Sequence, residues 1–258
     1  MRTIVVTGAA SGIGKTLAEI LTERGERVIG VDLHDADVTV DLTTAAGRTA
    51  LVDEVRELSG GTIDAIVANA GLALPTPKTV AVNFFGTVAT LEGLRPLLAD
   101  SAAPRAAVTC SMASLYAPDT ALLDALLAGD EPAALARGEE LAADTQLGAL
   151  IYGTTKQALA KWIRRHAATP EWAGVGIPLN GIAPGIVVTP MTKDLMATQD
   201  AIDALLQQVP MPLNGPMEPE VPARLLAWLI SAENSHLCGQ IVFVDGGSDV
   251  VIRGDATW

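Results

Sequence analysis

Six short runs of β-branched and small apolar residues punctuate this chain, and their alternation with longer Ala/Leu-rich stretches constrains the fold more than any other feature. The runs are Thr3–Thr7, Arg27–Asp32, Ala65–Ala68, Ala106–Cys110, Ile177–Ala183 and Gln240–Val244, each bounded by Gly, Pro, Asp or Asn. They are brief and largely apolar throughout, the pattern of parallel strands covered on both faces. Stretches of helical period separate them: Gly14–Gly25, Ala45–Ser59, Val82–Leu98, Ile151–Thr169 and Glu220–Ser231. Strands alternating with helices of this length predict βαβ units, and hence an α/β doubly wound parallel sheet with helices on both faces. No internal repeat or low-complexity linker interrupts the pattern, so residues 1–258 are expected to form a single domain.

Composition removes several classes of function. A net charge of −13 leaves no basic surface to hold nucleic-acid phosphates. Two cysteines, Cys110 and Cys238, cannot build a disulfide framework. His34, His166 and His236 are far apart and form no local ligand cluster with cysteine, so no metal site is expected. The first apolar run breaks at Gly8, too short for a signal-peptide core, and no apolar stretch approaches the ~20 residues that span a bilayer. A cytoplasmic protein with neither membrane nor nucleic-acid partner is the expectation.

Two stretches depart from the alternation. Residues 117–145 carry two helix-like pieces, Thr120–Ala128 and Pro132–Leu141, the second announced by Asp130-Glu131-Pro132. Residues 190–218 hold Met191, Met196, Met211 and Met217 among several Pro and Gly. The second reads either as a mobile apolar wall over a site or as a loop packed on the core. Because both stretches follow strands at the end where such sheets bind ligands, the wall is favoured.

The first strand runs into Thr7-Gly8-Ala9-Ala10-Ser11-Gly12-Ile13-Gly14, and a helical pattern follows. Glycines at a strand–helix turn let a pyrophosphate approach backbone N–H groups at a helix N-terminus, as in Rossmann-type domains. The second strand ends at Asp32, whose carboxylate can accept hydrogen bonds from adenosine ribose hydroxyls and would repel a 2′-phosphate. With no cation in the turn to offset it, Asp32 points to NAD rather than NADP.

Tyr152 and Lys156 stand four apart on a helical stretch and so share a face. A free phenol ionises near pH ~10, too high for a base at neutrality, but a neighbouring ammonium stabilises the phenolate. Together with Ala68-Asn69-Ala70-Gly71, Asn83, Ser111, Pro184-Gly185 and Val244-Asp245-Gly246-Gly247, these residues resemble the short-chain dehydrogenase/reductase pattern along nearly the whole chain. The stretches 32–37 and 41–48, the 41 residues from Ser111 to Tyr152 and the ending 245–253 are similar to the bacterial 3α-hydroxysteroid dehydrogenase/carbonyl reductase group. Two positions differ from the usual pattern: Ala68 replaces an Asn, and Cys110 replaces the first Ser of a pair.

The resemblance implies roles position by position. Ser111 hydrogen-bonds the substrate oxygen, Tyr152 exchanges its proton, Lys156 holds the nicotinamide ribose and lowers the phenol's pKa, and Asn83 holds a water that relays protons. Gly8, Ser11, Gly12, Ile13 and Gly14 form the phosphate turn, and Asp41 and Leu42 meet the adenine. Asn69, Ala70 and Gly71 pass beside the adenosine and ribose, while Val187 and Thr189 fix the carboxamide. The implied reaction interconverts a secondary alcohol and a ketone on a small hydrophobic, cyclic or steroid-like substrate. Oxidation of a primary aryl alcohol stays open, as does a catalytically silent dinucleotide sensor. Family members commonly pair through the Tyr helix and the helix before it. Leu122, Leu123, Leu126 and Leu127 form a stripe that the same subunit must cover, obstructing that pairing. A homodimer through the C-terminal edge is therefore expected, with Trp228 as anchor and Leu226 as the position to probe.

Overall fold

A computed structural model describes residues 1–256. Its seven strands form one parallel sheet in the order β3-β2-β1-β4-β5-β6-β7. They are β1 (Thr3–Thr7), β2 (Arg27–Asp32), β3 (Val38–Thr39), β4 (Ala65–Ala68), β5 (Arg105–Thr109), β6 (Leu179–Pro184) and β7 (Ile241–Val244). The expected α/β doubly wound architecture is present. β3 is an addition: two residues, Val38 and Thr39, pair with Val31 and Asp32.

The two-residue period of a strand divides the core. Val5, Ile66, Ala106 and Val108 face one hydrophobic layer, whereas Ile4, Val6, Ala65, Val67 and Ala107 face the other. Both layers are buried, which is why these strands read as continuous apolar runs. The second layer is closed by α1 (Gly12–Glu23), through Leu17 and Leu21, and by α8 (Glu220–Leu229), through Ala223, Leu226 and Ala227. The first layer is closed by α2 (Ala45–Ser59), α3 (residues 77–94) and α6 (Leu150–His166).

Helix α3 starts at Pro77, five residues before the expected Val82, because Thr76-Pro77 supplies a helix start. It is not continuous: a π-turn, Ala81–Gly86, separates Pro77–Val80 from Thr87–Leu94. Gly86 lets this turn lie against Leu42, since a Cβ there would come within 3.1 Å of Leu42 Cβ and its carbonyl oxygen.

The insertion before Tyr152 is helical, as expected. Helix α4 (Thr120–Ala128) is capped by Asp119, whose carboxylate accepts from Leu122 N, and α5 (Glu131–Ala142) by Asp130, which accepts from Ala133 N. Leu122, Leu123 and Leu126 are buried and Leu127 packs against the same core, so the leucine stripe is covered within the subunit. Arg137 grips Asp119 through two hydrogen bonds of 3.1 and 2.7 Å, and Asp119 N donates to Thr154 on α6, fastening the insertion to the helix that carries Tyr152.

The segment 190–218 is not simply loop. It contains α7 (Gln199–Gln208), none of whose residues is buried, and the Tyr116 hydroxyl donates to Gln208 O across 2.6 Å. Its return is anchored by Met211, buried against Gly185 and Gly246, whose sulfur accepts from Ile186 N. A last helix, α9 (Ser248–Arg253), starts where Asp245 accepts from Gly247 N and Asp249 N.

Candidate active site

The carboxyl ends of β1, β2, β4, β5 and β6 open into one cleft of about 320 Å³. All the candidate residues line it except Gly14 and Asn83, which stand directly behind its wall. One end carries Asp32, Asp41 and Leu42, the middle the glycine turn and residues 69–71, and the other end Ser111, Tyr152 and Lys156.

The glycine turn is built by steric necessity. Gly8 and Gly12 have φ of 71° and 52°, which favours residues without Cβ. A Cβ on Gly14 would lie 2.1 Å from Gly8 O, so the start of α1 can fold back on the turn only through glycine. Gly8 N donates to Val31 O at 2.8 Å, and Ala10 N donates to Asp32 Oδ2 at 2.9 Å. Asp32 thus braces the turn while its carboxylate still lines the cleft. Helix α1 has no side-chain cap at Ser11, leaving its first N–H groups without that partner.

Thr7, which opens the glycine motif, has a structural role that the motif does not reveal. Its hydroxyl oxygen accepts from both Asn69 N and Ala70 N at 3.0 Å, tying β1 to the end of β4. Asn69 spends its own amide on Thr7 O and accepts from the Thr109 hydroxyl, so its side chain locks three strands together beneath the turn.

At the chemical end, Ser111 is in extended conformation after β5, and its Oγ accepts from Ala113 N at 3.1 Å. That bond occupies an acceptor site of the hydroxyl and leaves its proton to be donated elsewhere. Burial pushes the Tyr152 phenol above its ordinary value, and a hydrogen bond with Ser111 works in the opposite direction. Lys156 Nζ donates to Thr109 O at 2.8 Å and lies 5.8 Å from the centre of the Tyr152 ring. Burial pulls this ammonium down to about 8. Cys110, next to Ser111, is pushed up to about 12 by burial and is therefore a neutral thiol at neutral pH.

Asn83 occupies the π-turn, with both N–H donors committed, to Leu72 O (2.9 Å) and Thr155 Oγ1 (3.1 Å); its Oδ1 accepts from Leu72 N. Thr155 in turn donates to Tyr152 O. The side chain is wholly buried and braces the loop after β4 against the Tyr helix. Val187 and Thr189 share another unforeseen brace, Thr192, whose hydroxyl donates to Val187 O and accepts from Thr189 N. Among the described residues no cluster of His, Cys, Asp or Glu has the makings of a metal site, and no helix is long and apolar enough to cross a membrane.

Comparison with known proteins places the chain in a family. A family model described as short chain dehydrogenase matches residues 2–121, and one described as enoyl-(acyl carrier protein) reductase matches residues 137–249. The unmatched residues between them fall in the helical insertion. The chain is 35% identical to a 3-alpha-hydroxysteroid dehydrogenase/carbonyl reductase of Comamonas testosteroni over 98% of each sequence. It is 32% identical to a cis-4-hydroxycyclohexanecarboxylate dehydrogenase of Sinomonas cyclohexanicum over 97% of each. The crystal structure of the 3-alpha-hydroxysteroid dehydrogenase from Pseudomonas sp. B-0831 complexed with NADH superposes with a TM-score of 0.87, at 37% identity, covering 98% of this chain and 99% of that one. By contrast, an aldohexose dehydrogenase of Thermoplasma acidophilum, 22% identical with a TM-score of 0.75 over 96% of this chain and 94% of that one, shares the fold. Identity of this size, held from end to end in the first two relatives, establishes descent as well as shape: the chain belongs to the short-chain dehydrogenase/reductase family of oxidoreductases.

Proposed function

We propose that the protein is an NAD(H)-dependent enzyme that interconverts a secondary alcohol and a ketone on a small hydrophobic, cyclic or steroid-like substrate. The observation that carries this reading is one continuous cleft with a glycine turn and Asp32 toward one end and Ser111, Tyr152 and Lys156 at the other. The hydroxysteroid and cyclohexane-ring relatives support a cyclic alcohol, and the NADH complex supports the dinucleotide.

The residues present fit that cofactor. Glycines at 8 and 12 open the turn to a pyrophosphate, with Ser11 and Ile13 beside it, and Asp32 faces the cleft where ribose hydroxyls would lie. Asp41 and Leu42 would flank the adenine, residues 69–71 the adjoining ribose, and Val187 and Thr189 the carboxamide. When bound, the dinucleotide supplies or accepts the hydride. Ser111, with its hydroxyl oxygen already accepting from Ala113 N, donates its proton to the substrate oxygen. Tyr152 exchanges a proton with that oxygen at its phenol. Lys156, fixed on Thr109 O, keeps N–H groups for the ribose hydroxyls and places positive charge beside the phenol. Asn83 holds Leu72 and, through Thr155, the backbone of Tyr152, and would also hold the water that relays protons. Pro190, Met191 and Thr192 from the segment 190–218 wall the same cleft and would bound the substrate.

The unbridged Cys110 and Cys238 support a cytoplasmic setting. Assembly as a homodimer through the C-terminal edge is supported by exposed Val221 and Trp228 on α8 and Val250 and Val251 on α9. Leu226, by contrast, is fully buried within its own subunit and cannot probe that surface.

NADH oxidation followed by absorbance with a panel of cyclic ketones tests the proposal. Turnover that Tyr152→Phe reduces by ~10²–10⁴-fold, with NADH binding retained, is expected. Dinucleotide binding without turnover of any ketone or alcohol would instead identify a silent sensor.

A further inference from the structure

The helical insertion is tied to the opposite end of the cleft by a single side chain. Arg48 rises from the first turn of α2 and donates from Nε to Leu42 O at 2.8 Å and from Nη2 to Thr43 O at 3.3 Å. The same guanidinium meets both carboxylate oxygens of Glu131, at 2.8 and 2.6 Å, and lies 5.9 Å from the centre of the Phe85 ring in the π-turn. Its side chain is 11% exposed, and Glu131 is the first residue of α5. Asp41, Leu42 and Thr43 wall the end of the cleft remote from Tyr152. Their path is tight, since a Cβ on Gly47 would come within 2.0 Å of Asp41 O.

A planar guanidinium can hold two carbonyls and one carboxylate at once because its five N–H groups are fixed in one fork. Glu131 neutralises the charge and fixes the orientation that lets Arg48 hold the carbonyls. Without it, a mostly buried guanidinium loses its counter-charge and turns toward water, releasing the 42–43 backbone.

The geometry points to Arg48 and Glu131 as positioning residues through which the insertion sets the wall of the adenine subsite. The inference rests on the dinucleotide reading above and deepens it: the insertion shapes cofactor affinity from a place distant from the reacting atoms.

The test measures binding of NADH, AMP and reduced nicotinamide mononucleotide to the full chain by calorimetry, with steady-state kinetics alongside. Glu131→Gln keeps shape and removes charge; Arg48→Lys keeps charge and removes the fork. Each is expected to weaken NADH and AMP by about tenfold, as for a wall correctly placed in one molecule in ten. The cofactor KM rises with it, while kcat at saturating cofactor and binding of the mononucleotide stay unchanged. Glu131→Asp, which keeps the charge, is expected to recover part of the loss. Unaltered NADH and AMP binding in both variants would overturn the inference alone, as would equal weakening of AMP and the mononucleotide, which marks general loosening. An unmodified protein that binds neither NADH nor AMP would overturn the cofactor reading itself.

Discussion

Replacing Gly14 with alanine adds one methyl group to the first turn of α1, where the structure leaves no room for it. The new Cβ would sit 2.1 Å from Gly8 O and 2.6 Å from Asn69 Nδ2, whereas real Cβ atoms essentially never approach closer than 3.0 Å. The Gly8 carbonyl must therefore retreat by about 0.9 Å. Gly8 N, only 2.8 Å from Val31 O, is carried with it, at a cost of ~1 kcal/mol for the hydrogen bond. Overpacking adds ~1–3 kcal/mol, and the better helix propensity of alanine returns ~1 kcal/mol. The net loss is about 1–3 kcal/mol, which in a chain of this size lowers Tm by roughly 2–12 °C. Cofactor affinity falls further, because a 1 Å displacement of a positioning group can cost about 10²-fold. Gly174→Ala is the control: the same methyl there meets nothing nearer than 3.5 Å and is expected to leave both quantities unchanged. Thermal unfolding and NADH titration read the two effects separately. A Gly14→Ala variant binding NADH within threefold of the parent, with Tm unmoved, would refute the claim that this contact shapes the turn.

Three other outcomes are expected. Asp32→Ala narrows the NAD(H)/NADP(H) difference in kcat/KM by at least about tenfold by removing a like charge from the 2′-phosphate position; it also lowers NAD(H) efficiency, because Ala10 N loses its acceptor. Alcohol oxidation rises with pH into the alkaline range, since burial holds the Tyr152 phenol above its ordinary value and only the deprotonated form accepts the alcohol's proton; pH-rate profiles in both directions should show ketone reduction falling where oxidation climbs. Trp228→Glu converts the proposed dimer to a monomer in light scattering with little change in Tm, because that residue is 40% exposed, whereas Leu226→Glu unfolds the chain.

The strands were legible because burial on both faces writes itself into continuous apolar runs. β1, β2 and β4 fall where Thr3–Thr7, Arg27–Asp32 and Ala65–Ala68 predict them, and the later strands differ at their ends by one or two residues. β3 was not legible: two residues carry no period. Helix α7 was hidden in a Pro- and Gly-flanked stretch although Ile202, Leu205, Leu206 and Val209 carry helical spacing, because the flanking Pro and Gly read as loop. Motif spacing located the residues of the site but said nothing of which atoms they commit to one another. That is why the Asn83 and Asn69 amides, Thr7, Thr192 and Arg48 acquire their roles only from three-dimensional pairing. Arg48 and Glu131 stand 83 positions apart, and no local pattern joins them.

The strand order has a consequence for how the molecule is made. β1, the first of the seven strands in chain order, lies at the interior of the sheet, with β2 and β4 on its two sides, so the nucleotide half can assemble around it while later strands are still emerging. Each of these parallel pairings must first close a loop containing a helix, which makes the assembly slow. β7 arrives last, at the margin, and beyond it the chain carries the groups that fasten the return of the segment 190–218: Gly246 O receives Leu213 N, and the Ser248 hydroxyl donates to Pro210 O. A nascent chain halted before β7 would thus have the strand framework of the nucleotide half but a substrate side without its last anchors. The substrate side is fastened only after β7 and the residues that follow it have emerged.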